Sequence, residues 1–250
     1  MSDSIACTID GEVMRVTLNE ADSGNAMTNE MSARLAEILE SAGDVARVVV
    51  LRAAGEDFCL GRSTMGRKRT VLPEALALRR SNDVVFRCYG AFRASAIPVI
   101  AVVQGRALGF GTALAAAADI TMATHDATFQ LPEFGHNIMP TMALSALLGK
   151  VPAKALMYLA YSTRVLGAEE ARQLGIVSDV VAADGMDAAV DALIAAMLHA
   201  PQPAVLAIKE FARTAPGMNI NDAIEYARAL HATVNSSSEM RREVQQEIPR

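Results

Sequence analysis

Two glycine-bearing segments have residue types and spacing suited to chemistry. The first, Gly55-Glu56-Asp57-Phe58-Cys59-Leu60-Gly61-Arg62-Ser63, follows an apolar run. Its two glycines accept backbone angles closed to other residues, so the loop can aim an amide N–H into a cleft. An ordinary strand-to-helix turn has the same composition. The second, Val103-Gln104-Gly105-Arg106-Ala107-Leu108-Gly109-Phe110-Gly111-Thr112-Ala113, leaves an apolar run through glycines and enters an Ala-rich stretch. A helix starting there presents unbonded N–H groups and the positive end of its dipole, a site for developing negative charge. Its spacing matches neither the G-x-G-x-x-G dinucleotide fingerprint nor the G-x-x-x-x-G-K-[ST] phosphate loop, which disfavours those nucleotide-binding enzymes.

The remaining reactive side chains do not group. His125, His136, His199 and His231 are scattered, without H-E-x-x-H or carboxylate–histidine spacing, so no metal centre is expected. No G-x-S-x-G elbow supports a serine hydrolase. Cys7, Cys59 and Cys88 are far apart and odd in number, giving neither a disulfide framework nor a zinc-type pair, and a reducing cytoplasm is the expected compartment.

Elements that would position the glycine segments can be read from periodicity. Ile5, Cys7 and Ile9, then Met14, Val16 and Leu18, alternate about Asp10-Gly11 as in a β-hairpin. Thr28 is a plausible N-cap for a helix carrying Met31, Leu35, Ile38 and Leu39, and the apolar run Val48 to Leu51 predicts a buried strand. A helix over 72–94, a strand at 99–103, a helix from Gly109 to Ala117, and strands near 119–123 and 127–131 continue the alternation of an α/β fold. Beyond Pro140 strand signals nearly vanish. Met186, Ala189, Val190, Leu193, Ile194, Met197 and Leu198 form one helical stripe, and the polar segment from Ser236 to Arg250 is expected to fray.

With 250 residues and 52% hydrophobic content the chain can bury one large core. The acidic start MSDSIACTIDGE has no signal-peptide pattern. Pro98, Gln104, Arg106 and glycines interrupt the apolar region from Ala96 to Ala118, which argues against a membrane span. A net charge of −5 argues against nucleic-acid partners.

Taken in order, five pieces of this sequence resemble the crotonase, or enoyl-CoA hydratase/isomerase, superfamily over nearly its whole length. They are Leu18-Asn19 with Asn25-Ala26-Met27, the Phe58-Cys59-Leu60-Gly61 loop, the glycine-rich helix start, Leu131-Pro132-Glu133, and Gly167-Ala168-Glu169-Glu170-Ala171 leading to Gly175-Ile176-Val177. The resemblance implies a spiral of β-β-α units over 1–190, and a helical C-terminal region over 191–250 that builds a homotrimer or hexamer. It implies an acyl-CoA substrate, with no cofactor beyond the coenzyme A that the substrate carries.

It further implies an oxyanion hole of two backbone N–H groups, at Arg62 and Phe110, with Leu60, Gly61, Gly109, Ala113 and His136 around the substrate. Glu133, behind a proline and between apolar neighbours, matches one family carboxylate and is suited to desolvation. Ala113 occupies the position of the other. Adding water across an enoyl thioester uses both acids in this family, whereas moving a proton from the α to the γ carbon needs one base, so isomerase-like chemistry is favoured. Hydration, or another lyase or hydrolase step, is the alternative, and a non-catalytic acyl-CoA-binding protein is the alternative of another class. His136 is either a proton shuttle or an exposed loop residue. The basic residues Arg62, Arg67, Lys68 and Arg69 suit either the CoA phosphates or a solvated loop. Lys209 and Arg213 suit the adenosine end or an exposed helical face. Met65, Met139 and Met142 suit the core or the acyl pocket.

Overall fold

The computed structural model describes residues 3–63 and 74–241. Strands β1 (Ile5–Asp10) and β2 (Val13–Leu18) form the expected hairpin. Its tight loop is Gly11-Glu12 instead of Asp10-Gly11, because Asp10 still pairs with Val13. Gly11 takes φ +59°, which a side chain would resist. Helix α1 (Asn29–Ser41) starts at Thr28, whose hydroxyl accepts the Met31 N–H at 3.1 Å. Strand β3 (Val48–Ala53) follows.

The helix expected over 72–94 is two helices, α2 (Ala75–Ser81) and α3 (Asp83–Ala94). They break at Ser81-Asn82-Asp83, three residues whose short polar side chains compete with the helical backbone. Next come β4 (Val99–Val103), β5 (Arg106–Leu108), α4 (Phe110–Ala117), β6 (Ile120–Thr124) and β7 (Thr128–Gln130). Beyond Pro140 lie α5 (Thr141–Leu147), α6 (Ala153–Ser162), β8 (Leu166–Gly167), α7 (Ala168–Gln173), β9 (Asp179–Val181), α8 (Met186–His199), α9 (Gln202–Thr214) and α10 (Ile220–Asn235). The region read as nearly strand-free therefore contains β8 and β9. Elements of two and three residues are too short for alternation to show.

Two sheets result, a six-stranded one in the order β1-β2-β3-β4-β6-β9 and a three-stranded one in the order β5-β7-β8. After β4 the chain crosses to the small sheet as β5, passes through α4, and returns beside β4 as β6 before crossing again as β7. Each turn thus adds a strand to both sheets, giving the spiral of β-β-α units. The large sheet is parallel apart from its hairpin, and both of its faces are covered, which explains the uninterrupted apolar run Val48 to Leu51. Val49 and Leu51 enter the main core with α1, α3 and α4, while Val48 and Val50 face α8.

Helix α8 packs on the face of the large sheet opposite the main core. The stripe buries Met186, Val190 and Ile194 against Val48, Val50, Ile100 and Val102 of this chain's own sheet. The expected boundary between residues 190 and 191 falls inside α8. Helices α9 and α10 lie outside this core, and α10 has no buried residue.

Helix α9 is anchored by Lys209. This side chain is 5% exposed, and its ammonium donates to the carbonyls of Phe92 (2.9 Å) and Ile97 (2.8 Å) and to Asp119 Oδ2 (2.8 Å). Burial lowers its pKa, and Asp119 opposes that shift. With its three N–H donors engaged, Lys209 holds α9 to the core and does not reach for a ligand. Arg213, the other residue considered for adenosine, donates to the Arg93 carbonyl at 3.3 Å.

Among the described residues no single helix is long and apolar enough to cross a membrane; one bent pair, Ala183–His199 with Gln202–Gly217, is so only by length and composition.

Candidate active site

The two glycine segments run side by side. Cys59 forms a parallel bridge with Ala107, the Phe58 N–H donates to the Gln104 carbonyl (3.0 Å), and the Leu108 N–H donates to the Cys59 carbonyl (2.9 Å). Asp57 clamps them from one end. It accepts the Arg106 backbone N–H (3.0 Å) and both arms of the Arg106 guanidinium (2.9 and 2.7 Å), which holds its carboxyl below the usual range. Asn25, fully buried at φ +54°, donates to the carbonyls of Ala54 (2.8 Å) and Asp57 (2.9 Å), fixing the same loop from behind.

Two glycines make this approach possible. A Cβ on Gly111 would meet the Cys59 carbonyl oxygen at 2.3 Å, and one on Gly105 would meet the Glu56 carbonyl oxygen at 2.1 Å. Since Cys59 is level with Ala107, the residues three further along each segment, Arg62 and Phe110, emerge at the same end.

The preceding glycines turn their peptides. Gly61 has φ +101° and its carbonyl accepts the Met27 N–H at 2.8 Å. In a trans peptide the N–H of the next residue points the opposite way, so the Arg62 N–H is directed away from Met27. Gly109 has φ +50° and ψ −102°, and its carbonyl accepts the Ala113 N–H at 3.0 Å down the axis of α4. The Phe110 N–H then points off the helix start, where no intrahelical carbonyl exists to take it.

Glu133 opens a short 3-10 turn, Glu133–His136, closed by Asn137 in the left-handed conformation. The residue is 9% exposed, and its carboxylate Oε2 is buried with no hydrogen-bond partner among the described residues. Burial raises its pKa above the ordinary carboxylate range, opposed by its own backbone N–H and by the charge of His136. His136 itself is exposed at the rim.

Ala113 is fully buried on α4 and carries only a methyl group. Leu60 is half-buried, and Gly61 and Gly109 are buried. The Arg62 guanidinium donates to Asn29 Oδ1 at 2.6 Å. Arg67, Lys68, Arg69 and Met65 lie outside the described residues. Met139 is exposed, and Met142 packs on the core. Among the described residues no three His, Cys, Asp or Glu side chains group as metal ligands.

Tyr89 of α3 was not singled out from the sequence. It is 7% exposed, with its ring centroid 4.9 Å from that of Phe110. Burial raises its pKa well above 10, and the charges of Glu133 and Arg62 both act on it. Glu133, Arg62, Phe110 and Tyr89 therefore share one region. Asn25, Asp57 and Arg106 support it, and only pairing across segments makes their roles visible.

The enoyl-CoA hydratase/isomerase family model matches residues 8–247. This chain belongs to the enoyl-CoA hydratase/isomerase family. It is an enzyme of that family acting on acyl-CoA. Carnitinyl-CoA dehydratase of Escherichia coli K12 is 31% identical over 238 residues, covering 92% of this chain and 87% of its own. The fold matches an enoyl-CoA hydratase of Mycobacterium smegmatis at TM-score 0.90 and 25% identity, over 100% of this chain and 99% of that one. A structure from Thermobifida fusca YX, solved in complex with acetoacetyl-CoA, matches at TM-score 0.80 and 30% identity, over 92% of this chain and 94% of its own.

Proposed function

We propose that this family member takes the thioester oxygen of an acyl-CoA onto the backbone N–H groups of Arg62 and Phe110 and uses Glu133 as its single base. Glu133 removes the α proton of a 3-enoyl thioester, the two N–H groups hold the resulting dienolate, and the protonated carboxyl returns that proton to the γ carbon. The double bond moves into conjugation, and the carboxylate is regenerated. Each N–H contributes about 3 kcal/mol to the charged intermediate.

The observation that carries this reading is the Glu133 carboxylate, buried with Oε2 unpartnered, combined with a methyl group at position 113. Such an acid is poised to gain a proton, and no second acid stands at 113 to hold water. Leu60, Gly61, Gly109 and Ala113 line the thioester end in this reading, and His136 modulates Glu133 from the rim.

Water addition or elimination is the second reading, favoured by the 31% identity to carnitinyl-CoA dehydratase. Turnover of matched 2-enoyl, 3-enoyl and 3-hydroxyacyl thioesters separates the two. Isomerisation of the 3-enoyl compound faster than hydration of the 2-enoyl one is expected, and the reverse order would replace the first reading by the second.

For the assembly we propose a trimer, or a pair of trimers, in which α9 and α10 pack on neighbouring copies. Ile208, Ile220 and Ile224 on these helices are exposed in the single chain, as are Phe134, Tyr158 and Tyr161 beside the proposed site. Apolar surface of this extent is characteristic of an interface.

A further inference from the structure

Glu133 and the Phe110 N–H belong to different segments of the chain, and a base works only at a fixed place relative to the group that holds the developing charge. The segment carrying Glu133 is tied on one side to α6 and its end. Gln130 Nε2 donates to the Thr163 carbonyl (2.7 Å), and Phe134 meets Tyr161 edge-on with ring centroids 5.6 Å apart. Neither contact reaches α4. The link to α4 lies at the end of β7, where Gln130 pairs with Leu108 of β5 and its carbonyl accepts the Gly109 N–H at 2.8 Å.

Thr112, the third residue of α4, closes this junction with its side chain and is 2% exposed. Its hydroxyl donates toward the carbonyls of Ala107 (2.7 Å) and Gln130 (3.0 Å), and its oxygen accepts the Gln130 N–H at 3.2 Å. A helical threonine ordinarily bonds the carbonyl three or four residues back in its own helix. Here one hydroxyl, with one proton and two lone pairs, engages two strands outside the helix instead. Ala107 stands three residues before Phe110, and Gln130 stands three before Glu133. Of the two residues between Gln130 and Glu133, Pro132 has its φ locked by the ring, so a displacement at Gln130 is passed on to Glu133.

We infer that Thr112 is a positioning residue: by bonding both the strand that leads to Phe110 and the strand that leads to Glu133, its hydroxyl fixes the base relative to the oxyanion donor. The inference rests on the roles proposed for those two residues. Proton transfer from carbon depends on the exact placement of the base, whereas binding of a thioester is spread over a large ligand. Loss of the hydroxyl therefore slows the proton transfer and leaves binding almost unchanged.

Three substitutions in the whole protein test this. Thr112→Val keeps the shape and deletes the hydroxyl, Thr112→Ser keeps the hydroxyl and deletes the methyl, and Thr112→Ala deletes both. Exchange of the α protons of an acyl-CoA into deuterated water is expected to follow the hydroxyl and not the volume. It should be about tenfold slower in the Val and Ala variants, as for a base displaced by a fraction of an ångström, and within about twofold of the parent in the Ser variant. Calorimetry should find thioester binding within about twofold of the parent in all three. If Thr112→Val fails to fold, the Ser and Ala variants, which differ by the oxygen alone, decide the matter. Parental exchange in the Val or Ala variant, or exchange that falls with side-chain volume so that Ser is slowed and Val is not, makes Thr112 a packing residue and overturns the inference alone. A parent that binds the thioester but exchanges no α proton overturns the role proposed for Glu133, and this inference with it.

Discussion

Glu133 shows how burial converts an ordinary acid into a base. The folded protein holds its proton more tightly than the unfolded chain does, since burial is the largest influence on it. The ionised form is therefore a cost to folding at neutral pH. That cost is absent below the unfolded value of 4.5, where both states are protonated, and grows as pH rises through the higher folded value. Glu133→Gln should accordingly be at least as stable as the parent at pH 7, with the difference vanishing below 4.5; thermal melts across that range check the sign. The same shift places the acid limb of kcat/KM above 4.5, which a pH–rate profile measures. Position 113 carries the opposite lesson. Ala113 is fully buried, so Ala113→Glu puts a carboxylate into the packed core of α4. A loss of stability of about 1–3 kcal/mol is expected from overpacking alone, with at most a modest gain in hydration, measured by denaturation and by water addition to a short 2-enoyl-CoA.

Among the elements, those with full periodicity could be read from the sequence and those defined by pairing could not. Thr28 with Met31, Leu35, Ile38 and Leu39 gives α1, and Val48 to Leu51 gives β3, because each contains enough residues to show its period. Strands β5, β8 and β9 have two or three residues and exist through their partners. The glycines of the candidate site were visible by type, but the reason for Gly111, the Cys59 carbonyl of the first glycine loop where its Cβ would be, is purely tertiary. Gly111→Ala should force α4 away from Cys59, lowering stability by about 1–3 kcal/mol and turnover more than substrate binding, as read by melting and steady-state kinetics. On α9, Lys209→Met leaves Asp119 and two carbonyls without their ammonium. A loss of about 3 kcal/mol is expected in chemical denaturation, reflecting a buried pair broken from one side.

For the molecule as a whole, the spiral places α4's start and the first glycine loop at one end of the sheets, and Glu133 follows β7 into the same region. The family resemblance anticipated this architecture, but the stripe on α8 did not say where the helix packs. An amphipathic stripe states that a helix has a partner without naming it, and here the partner is the chain's own sheet. The helices left uncovered are α9 and α10, so an assembly of three or six copies is expected by sedimentation at micromolar concentration, and a persistent monomer would leave their exposed isoleucines unexplained. The central claim, that Glu133 draws a proton from a thioester whose oxygen is held at Arg62 and Phe110, has one direct test. Parent enzyme and Glu133→Gln are incubated with an acyl-CoA in deuterated water, and deuterium at the α carbon is followed by mass spectrometry. The parent should exchange α protons, and the variant should do so at least about a hundredfold more slowly while still binding the thioester. Exchange by the variant within threefold of the parent, or none by the parent on a thioester it binds, would contradict the account.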